Sequence, residues 1–325
     1  MKSRIRRLAL ALAATAVAFG SLAALAQAQK LEGPLTIAVG YAPGGSSDRA
    51  ARLVAEALQS KHGINVIVEN KPGAGGRLVA QQLKLAKPSD NVLMIGNPAV
   101  MVVAPLVFKD TNYDPHVDFQ PVSMVTSYEF GIAVGSEVPV KDLAGLTAWL
   151  KANPQKAFFG VPATGSLPHF FALMLGDRAG IKADVVGYKG SAPLATDLMG
   201  GQVPVAIDTL DALLPLHQGG KLKVLAVSGK DRSQFAPDIP TLEEAGVDLT
   251  ATGWNAFFAP KSMPAEKVRS LGQAIQAAMA DPALRKRFVE LTMEPVSTST
   301  DETREMLKAY RAQWEPVVKR SGYQQ

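Results

Sequence analysis

The strongest constraint on the fold is a repeated alternation of short apolar runs and amphipathic segments, with glycine-rich turns where the runs end. Leu35 to Gly40 (LTIAVG), Ile64 to Glu69 (INVIVE) and Asn91 to Gly96 (NVLMIG) have the composition of buried strands. Between them, Asp48 to Ser60 and Arg77 to Ala86 place apolar residues at helical spacing. Strand–helix repetition of this kind predicts parallel pairing through right-handed crossovers.

The pattern restarts after about residue 130. Gly131–Val134, Lys156–Gly160, Ala183–Gly187, Val203–Ile207 and Lys223–Val227 read as strands. Leu143–Lys151, Leu167–Asp177, Ala192–Met199 and Thr209–Leu216 read as the helices between them. A strand-like stretch, Gly253–Ala259, and two or three helices complete the chain. Ser299 and Glu302 form a capping-box pair ahead of the last helix. Its stripe of Met306, Leu307, Tyr310, Trp314 and Val317 is expected to pack on the first unit, because the second already looks complete. The reading is α/β, with two domains that are each a mostly parallel sheet flanked by helices. Residues 29–129 plus 250–325 form domain one and 130–249 form domain two, with a ligand cleft between them. With 47% hydrophobic and 19% charged residues, 325 residues are enough for two cores.

The first 28 residues read as a signal peptide. Lys2, Arg4, Arg6 and Arg7 precede an uncharged run from Leu8 to Leu25, which ends in Ala26-Gln27-Ala28. Cleavage would leave Gln29 as the first residue of a periplasmic protein. The leader holds four of the 34 basic residues and none of the 29 acidic ones, so the formal charge falls from +5 to +1. The pI of 9.3 therefore owes much to the leader, and the case for a nucleic-acid partner is largely removed. The chain has no cysteine, which excludes disulfides, thiolate metal sites and a lipidated N-terminal Cys. His62, His116, His169 and His217 lack metal-ligand spacing, so no metal and no cofactor is expected.

The chemistry is concentrated in the strand-to-helix turns. In Tyr41-Ala42-Pro43-Gly44-Gly45-Ser46-Ser47-Asp48, Ser46 or Ser47 is placed to cap a helix whose free amides point above the strand end. Such a terminus binds anions without a basic side chain. Asn70-Lys71-Pro72-Gly73-Ala74-Gly75-Gly76 repeats the arrangement on the same sheet edge. It is neither a dinucleotide fingerprint nor a P-loop. Tyr41, Gly44, Gly45, Ser46, Ala74, Gly75, Gly76 and Asn97 are the predicted contacts from this unit. In the second unit, the turn from Gly160 to His169 offers Thr164, Gly165, Ser166 and His169. The next offers Gly190, Ser191 and Ala192. Asp208, at a strand end, is either a contact for a ligand amine or hydroxyl or a cap for the helix after Thr209. Tyr128 and Trp254 are, with Tyr41 and Asn97, candidate side-chain contacts to the ligand, or else packing of the cleft wall. Ser166 with His169 also admits a secreted serine hydrolase, although no Gly-x-Ser-x-Gly elbow is present.

Seven stretches, in order, resemble the Bug/TctC-type extracytoplasmic solute receptors of tripartite tricarboxylate transport. They are YAPGGSSD (Tyr41–Asp48), ENKPGAGG (Glu69–Gly76), GVPATGSLPH (Gly160–His169), YKGSAPLATDLMGGQV (Tyr188–Val203), GKLKVLAVSGKDRS (Gly220–Ser233), PDIPTLEEAG (Pro237–Gly246) and GWNAFFAPKSMP (Gly253–Pro264). The resemblance implies a type II periplasmic-binding-protein fold, and a monomer that closes on a small carboxylate without a chemical step. That ligand would be an amino acid, a dicarboxylate or an aromatic acid, held largely by loop amides and ordered waters. Implied partners are the transporter's membrane subunits or a sensor. Two positions depart from the pattern: Ala42 stands where a second proline is common, and Pro204 where an acidic residue is usual.

Overall fold

The computed structural model describes residues 33–321, so the predicted signal peptide lies outside the described residues. The chain runs β1 (Leu35–Val39), α1 (Ser46–His62), β2 (Val66–Asn70), α2 (Arg77–Lys84), β3 (Val92–Gly96), α3 (Ala104–Val107) and β4 (Phe119–Val134). It continues through α4 (Leu143–Ala152), β5 (Phe158–Val161), α5 (Leu167–Ala179), β6 (Asp184–Gly187), α6 (Ser191–Met199), β7 (Val205–Thr209), α7 (Leu210–Gln218) and β8 (Lys223–Val227). The last elements are β9 (Thr252–Pro260), α8 (Ala265–Met279), α9 (Pro282–Glu290), β10 (Glu294–Pro295) and α10 (Thr300–Ser321).

The predicted alternation is present. β1 lies between β2 and β3, parallel to both. β5 lies between β6 and β7, again parallel to both. β3 pairs antiparallel with β9, and β9 with the first part of β4, from Phe119 to Glu129. The last part of β4, from Phe130 to Val134, pairs antiparallel with β7 and, from Gly131, with β8. One strand therefore belongs to two sheets.

Sequence patterning predicts only the end of β4, Gly131–Val134. Its earlier residues include Pro121, Ser123, Thr126 and Glu129, which break the apolar run. The ladder with β9 absorbs this through two register shifts, between Pro121 and Ser123 and between Met124 and Thr126. The helical stretch Ala99–Val107 is also unforeseen. Val100 to Ala104 are all buried, so this apolar run carries no helical stripe to read.

α1 buries Ala50, Ala51, Leu53, Val54, Ala55, Ala57 and Leu58 against the first sheet, in a core shared with α8 and α9. The predicted capping box of α10 is made: the Ser299 amide donates to Glu302 Oε2 at 2.7 Å, and the Glu302 amide donates to Ser299 Oγ at 3.2 Å. The buried stripe is Leu307, Tyr310, Trp314 and Val318, one position on from Val317. α10 lies against β4 and the turn Ala99–Val103 and also touches α5, so it packs on both units. Tyr310 stacks on Trp314, with ring centroids 6.0 Å apart, and meets Trp254 edge-on at 5.8 Å. Trp254, 2% exposed, thus belongs to this aromatic core and is neither a ligand contact nor part of a cleft wall.

Trp314 is fully buried in a cluster that also holds Phe170 and Phe171 of α5. Trp314→Ala should destabilise the protein by about 3–5 kcal/mol. A urea titration followed by circular dichroism checks this, and an unshifted midpoint would show that α10 is dispensable to the core.

Candidate functional site

The predicted contacts lie beyond the carboxyl ends of the parallel strands in both sheets. In the first unit two turns pack backbone to backbone: a Cβ on Gly40 would sit 2.7 Å from the Gly76 Cα. The second turn follows a path closed to most side chains, with φ of +154° at Gly73, +47° at Ala74, +63° at Gly75 and +92° at Gly76. Tyr41 ties it to the first turn. Its hydroxyl donates to the Gly75 carbonyl at 3.2 Å and lies 2.9 Å from Asn97 Nδ2. Burial pushes the Tyr41 phenol up to about 12, against the lowering effect of Asn97. Tyr41, Gly75, Gly76 and Asn97 are therefore brought together, while Gly44, Gly45 and Ala74 form exposed rims.

Asp48 organises these turns from below. It accepts from the Gly44 amide at 2.8 Å, from Asn70 Nδ2 at 2.8 Å and from Arg52 Nε at 3.1 Å. Burial works to raise its carboxyl, but the Arg52, Gly44 and Asn70 hydrogen bonds outweigh it and hold the group below its ordinary range. The expected serine cap on α1 is absent. Gly45 is the cap residue and no side chain caps it. Ser47 instead donates to Asn255 Oδ1 at 2.6 Å, and Asn255 Nδ2 reaches Thr126 at 3.0 Å and Ser46 Oγ at 3.4 Å. Both serines anchor α1 to β4 and β9 and leave the first amides of the helix uncapped.

The second unit brings its predicted residues together in the same way. Thr164 packs so tightly on Gly187 that a Cβ there would meet its Oγ1 at 1.9 Å. The Gly190 amide donates to the Pro162 carbonyl at 2.8 Å. Ser166 precedes α5 and Gly190 precedes α6 as the cap residues, and neither helix has a side-chain cap. Ala192 is exposed on the first turn of α6. Asp208 accepts from the Thr209 amide at 2.7 Å and has the Ser191 hydroxyl beside it. Burial raises its carboxyl to about 7, and Asp211 adds to the effect.

The structure gives the hydrolase alternative no support. Ser166 Oγ is buried and has no hydrogen-bond partner, so no base addresses it. His169 Nδ1 accepts the Gly165 amide at 2.8 Å, and burial lowers the imidazole below its ordinary range. Its role is to fix the turn that precedes α5. Among the described residues, no group of three His, Cys, Asp or Glu side chains is placed to hold a metal ion.

Tyr128 stands where β4 changes partners, partly buried against the hydrophobic core. Burial raises its phenol well above the ordinary range, and Tyr310, Tyr41, Asp211 and Asp208 add to this from nearby. Arg49 of α1 pairs with Asp211 of α7 across the divide. Sequence reading missed this pair, and likewise Asn255 and the hub role of Asp48. Asp48 and Asn70 stand inside the quoted motifs, but nothing local marks Arg49 or Asp211 as partners.

Comparison with known proteins agrees with this arrangement. Residues 50–323 match the model of the tripartite tricarboxylate transporter family receptor. A UPF0065 protein of Bordetella bronchiseptica is 34% identical over 285 residues, covering 88% of this chain and 84% of that protein. A protein of R. palustris, solved with adipate, is 31% identical with a TM-score of 0.83, covering 89% of this chain and 97% of its own. MatC from Rhodopseudomonas palustris, solved with bound malate, is 26% identical with a TM-score of 0.79, covering 88% and 98%.

Asp208 makes stability depend on pH with a defined sign. An unfolded aspartate titrates at about 3.9, whereas folded Asp208 titrates at about 7. Between these values the native state binds a proton that the unfolded state releases, so this group's contribution to stability falls as pH rises through the window. Asp208→Asn should therefore melt above wild type at about pH 8, and the gap should shrink towards about pH 4. Melting curves across that range check it, and a gap independent of pH would refute the assignment.

Proposed function

The chain belongs to the tripartite tricarboxylate transporter receptor family, the Bug/TctC-type receptors, and we propose that it captures a small carboxylate between its two lobes. The lobes are residues 29–129 plus 250–325 and residues 130–249. The capture involves no chemical step. The chain is exported to the periplasm by its signal peptide, acts as a monomer, and hands its solute to the transporter's membrane subunits or reports it to a sensor.

The observation that carries this reading is the set of uncapped helix starts. α1, α5 and α6 each begin at a strand end, with no side chain satisfying their first amides. α1 presents the Ser46, Ser47 and Asp48 amides and a positive dipole end, both of which a carboxylate satisfies. The other two starts offer fewer donors: Pro168 in α5 and Pro193 in α6 have no N–H, and the His169 amide is bonded to the Ser166 carbonyl, which leaves the amides of Leu167, Ser191 and Ala192. Open space surrounds the rim glycines: a Cβ at Gly44, Gly75 or Gly190 would meet nothing within 4 Å. The adipate and malate in the related structures are small dicarboxylates and support the same ligand class.

Gly45 gives a clean test. Its φ of −73° and ψ of 169° suit any residue, and an added Cβ would meet only the Ala42 carbonyl oxygen, at 3.9 Å. Gly45→Ala should leave stability within about 0.5 kcal/mol of wild type while weakening adipate or malate binding in calorimetric titration. Undiminished affinity would place the anion site elsewhere.

Ser166 tests the receptor reading from the other lobe. Its hydroxyl caps nothing, so Ser166→Ala should leave the fold unchanged. A lost hydrogen bond to a carboxylate should cost about 1–3 kcal/mol, roughly one to two decades in Kd. Ester and amide hydrolysis assays should be blank for both proteins, and wild-type turnover that vanishes in the variant would overturn the proposal.

A further inference from the structure

We propose that Arg49 and Asp211 form a latch that holds the two lobes together, acting as positioning residues for capture without contacting the solute. The inference rests on the two-lobed receptor reading and adds a determinant of closure to it. Arg49 lies in the first turn of α1, after β1 of the first sheet. Asp211 lies in the first turn of α7, after β7 of the second. The two are 162 residues apart in sequence and bond directly through Arg49 Nη2 and Asp211 Oδ2.

The neighbouring charges show why this pair spans the lobes. Arg52, one turn along α1, is held by Asp48 and Asn70 of its own lobe. Arg49 has no such anchor there, and its Nε is buried without a hydrogen-bond partner. On the other side, the Asp211 side chain is 3% exposed, so its charge depends on a partner close at hand. Thr209 of its own lobe hydrogen-bonds the carboxyl, but the compensating positive charge comes from the opposite lobe. Arg49 is 29% exposed, so the desolvated member is Asp211, and removing Arg49 leaves that carboxylate buried and uncompensated. Opening the lobes is then the route by which water reaches the remaining charge. A change that penalises only the closed form shifts the population towards the open one. Gln234 and Glu294 make a second contact across the divide, but at exposed positions where water competes for both.

The chain has no cysteine, so single labels can be placed freely. Gln59→Cys on α1 and Lys182→Cys in the second lobe put spin labels on two exposed sites. Distances are measured by double electron–electron resonance at low ionic strength, first without ligand and then with adipate. Without ligand, Arg49→Met and Asp211→Asn should each lower the ratio of short to long distances at least about tenfold. Arg49→Lys should restore part of it. Circular dichroism verifies folding, and Arg49→Gln serves if the methionine variant is unstable. Folded variants with the wild-type distance distribution would overturn the latch, even if adipate closes all of them and the receptor reading stands. If adipate and malate leave wild-type distances and melting unchanged, the carboxylate reading falls, while the ligand-free comparison still decides the latch.

Discussion

β4 is hydrogen-bonded to β9 from Phe119 to Glu129 and to β7 from Phe130 to Val134. This shared strand fixes the relation between the two sheets, and the rest of the site follows from it. Parallel strands end in helix starts on one edge of each sheet. Because both sheets grow from β4, those edges lie on either side of the point where it changes partners. Tyr128 and Glu129 occupy that point, one between tyrosines and aspartates from both lobes and the other raised to about 7 by burial, Glu294 and Asp231. Both side chains are partly buried there, and Tyr128 packs its ring on the hydrophobic core, edge-on to Phe130.

Within each lobe, backbone contacts do most of the positioning. The approach of Gly40 to Gly76 and of Gly187 to Thr164 leaves no room for side chains, so neighbouring turns are locked at van der Waals distance. Asp48 then spends its carboxylate on an amide, an amide side chain and a guanidinium, and holds the rim from beneath. The amides of α1 remain uncapped because the serines that would cap it are engaged with Asn255 and its surroundings.

Much of this was legible in the sequence, because the signals are local. The strand–helix alternation, the glycine turns at strand ends and the Ser299–Glu302 box each lie within a few residues of the structure they specify. What was not legible is long-range or lacks a period. β4 hides its length behind Pro121 and a run of polar residues whose ladder needs two register shifts. Ala99–Val107 is buried on all sides in its first half and shows no stripe. The serine caps were misread because a Ser after two glycines looks the same whether its hydroxyl turns to its own helix or to Asn255, 208 residues away for Ser47. Arg49 and Asp211 have no local signature at all.

The acidic residues near the cleft raise an electrostatic question for a site proposed to hold an anion. Asp208 lies beside Ser191 at the uncapped start of α6, with Asp211 close enough to act on it, and like charges there would oppose a bound carboxylate. The structure removes most of that opposition by two different means. Asp211 is paired with Arg49, whose charge offsets its own, and burial still raises its carboxyl above the ordinary range. Asp208 is raised to about 7 by burial, so below that value it is held largely as a neutral acid, able to donate a hydrogen bond as well as accept one. The field over the cleft is then set by helix amides, whose partial positive charges are fixed by the backbone and cost no reorganisation when an anion arrives. This arrangement suits a receptor: an uncompensated arginine would hold a carboxylate tightly in the open and closed forms alike, and a ligand shifts a conformational equilibrium only by the difference between the two. In the proposed site, amides contributed from both lobes would supply that difference, because the full set of donors would surround the anion only after closure.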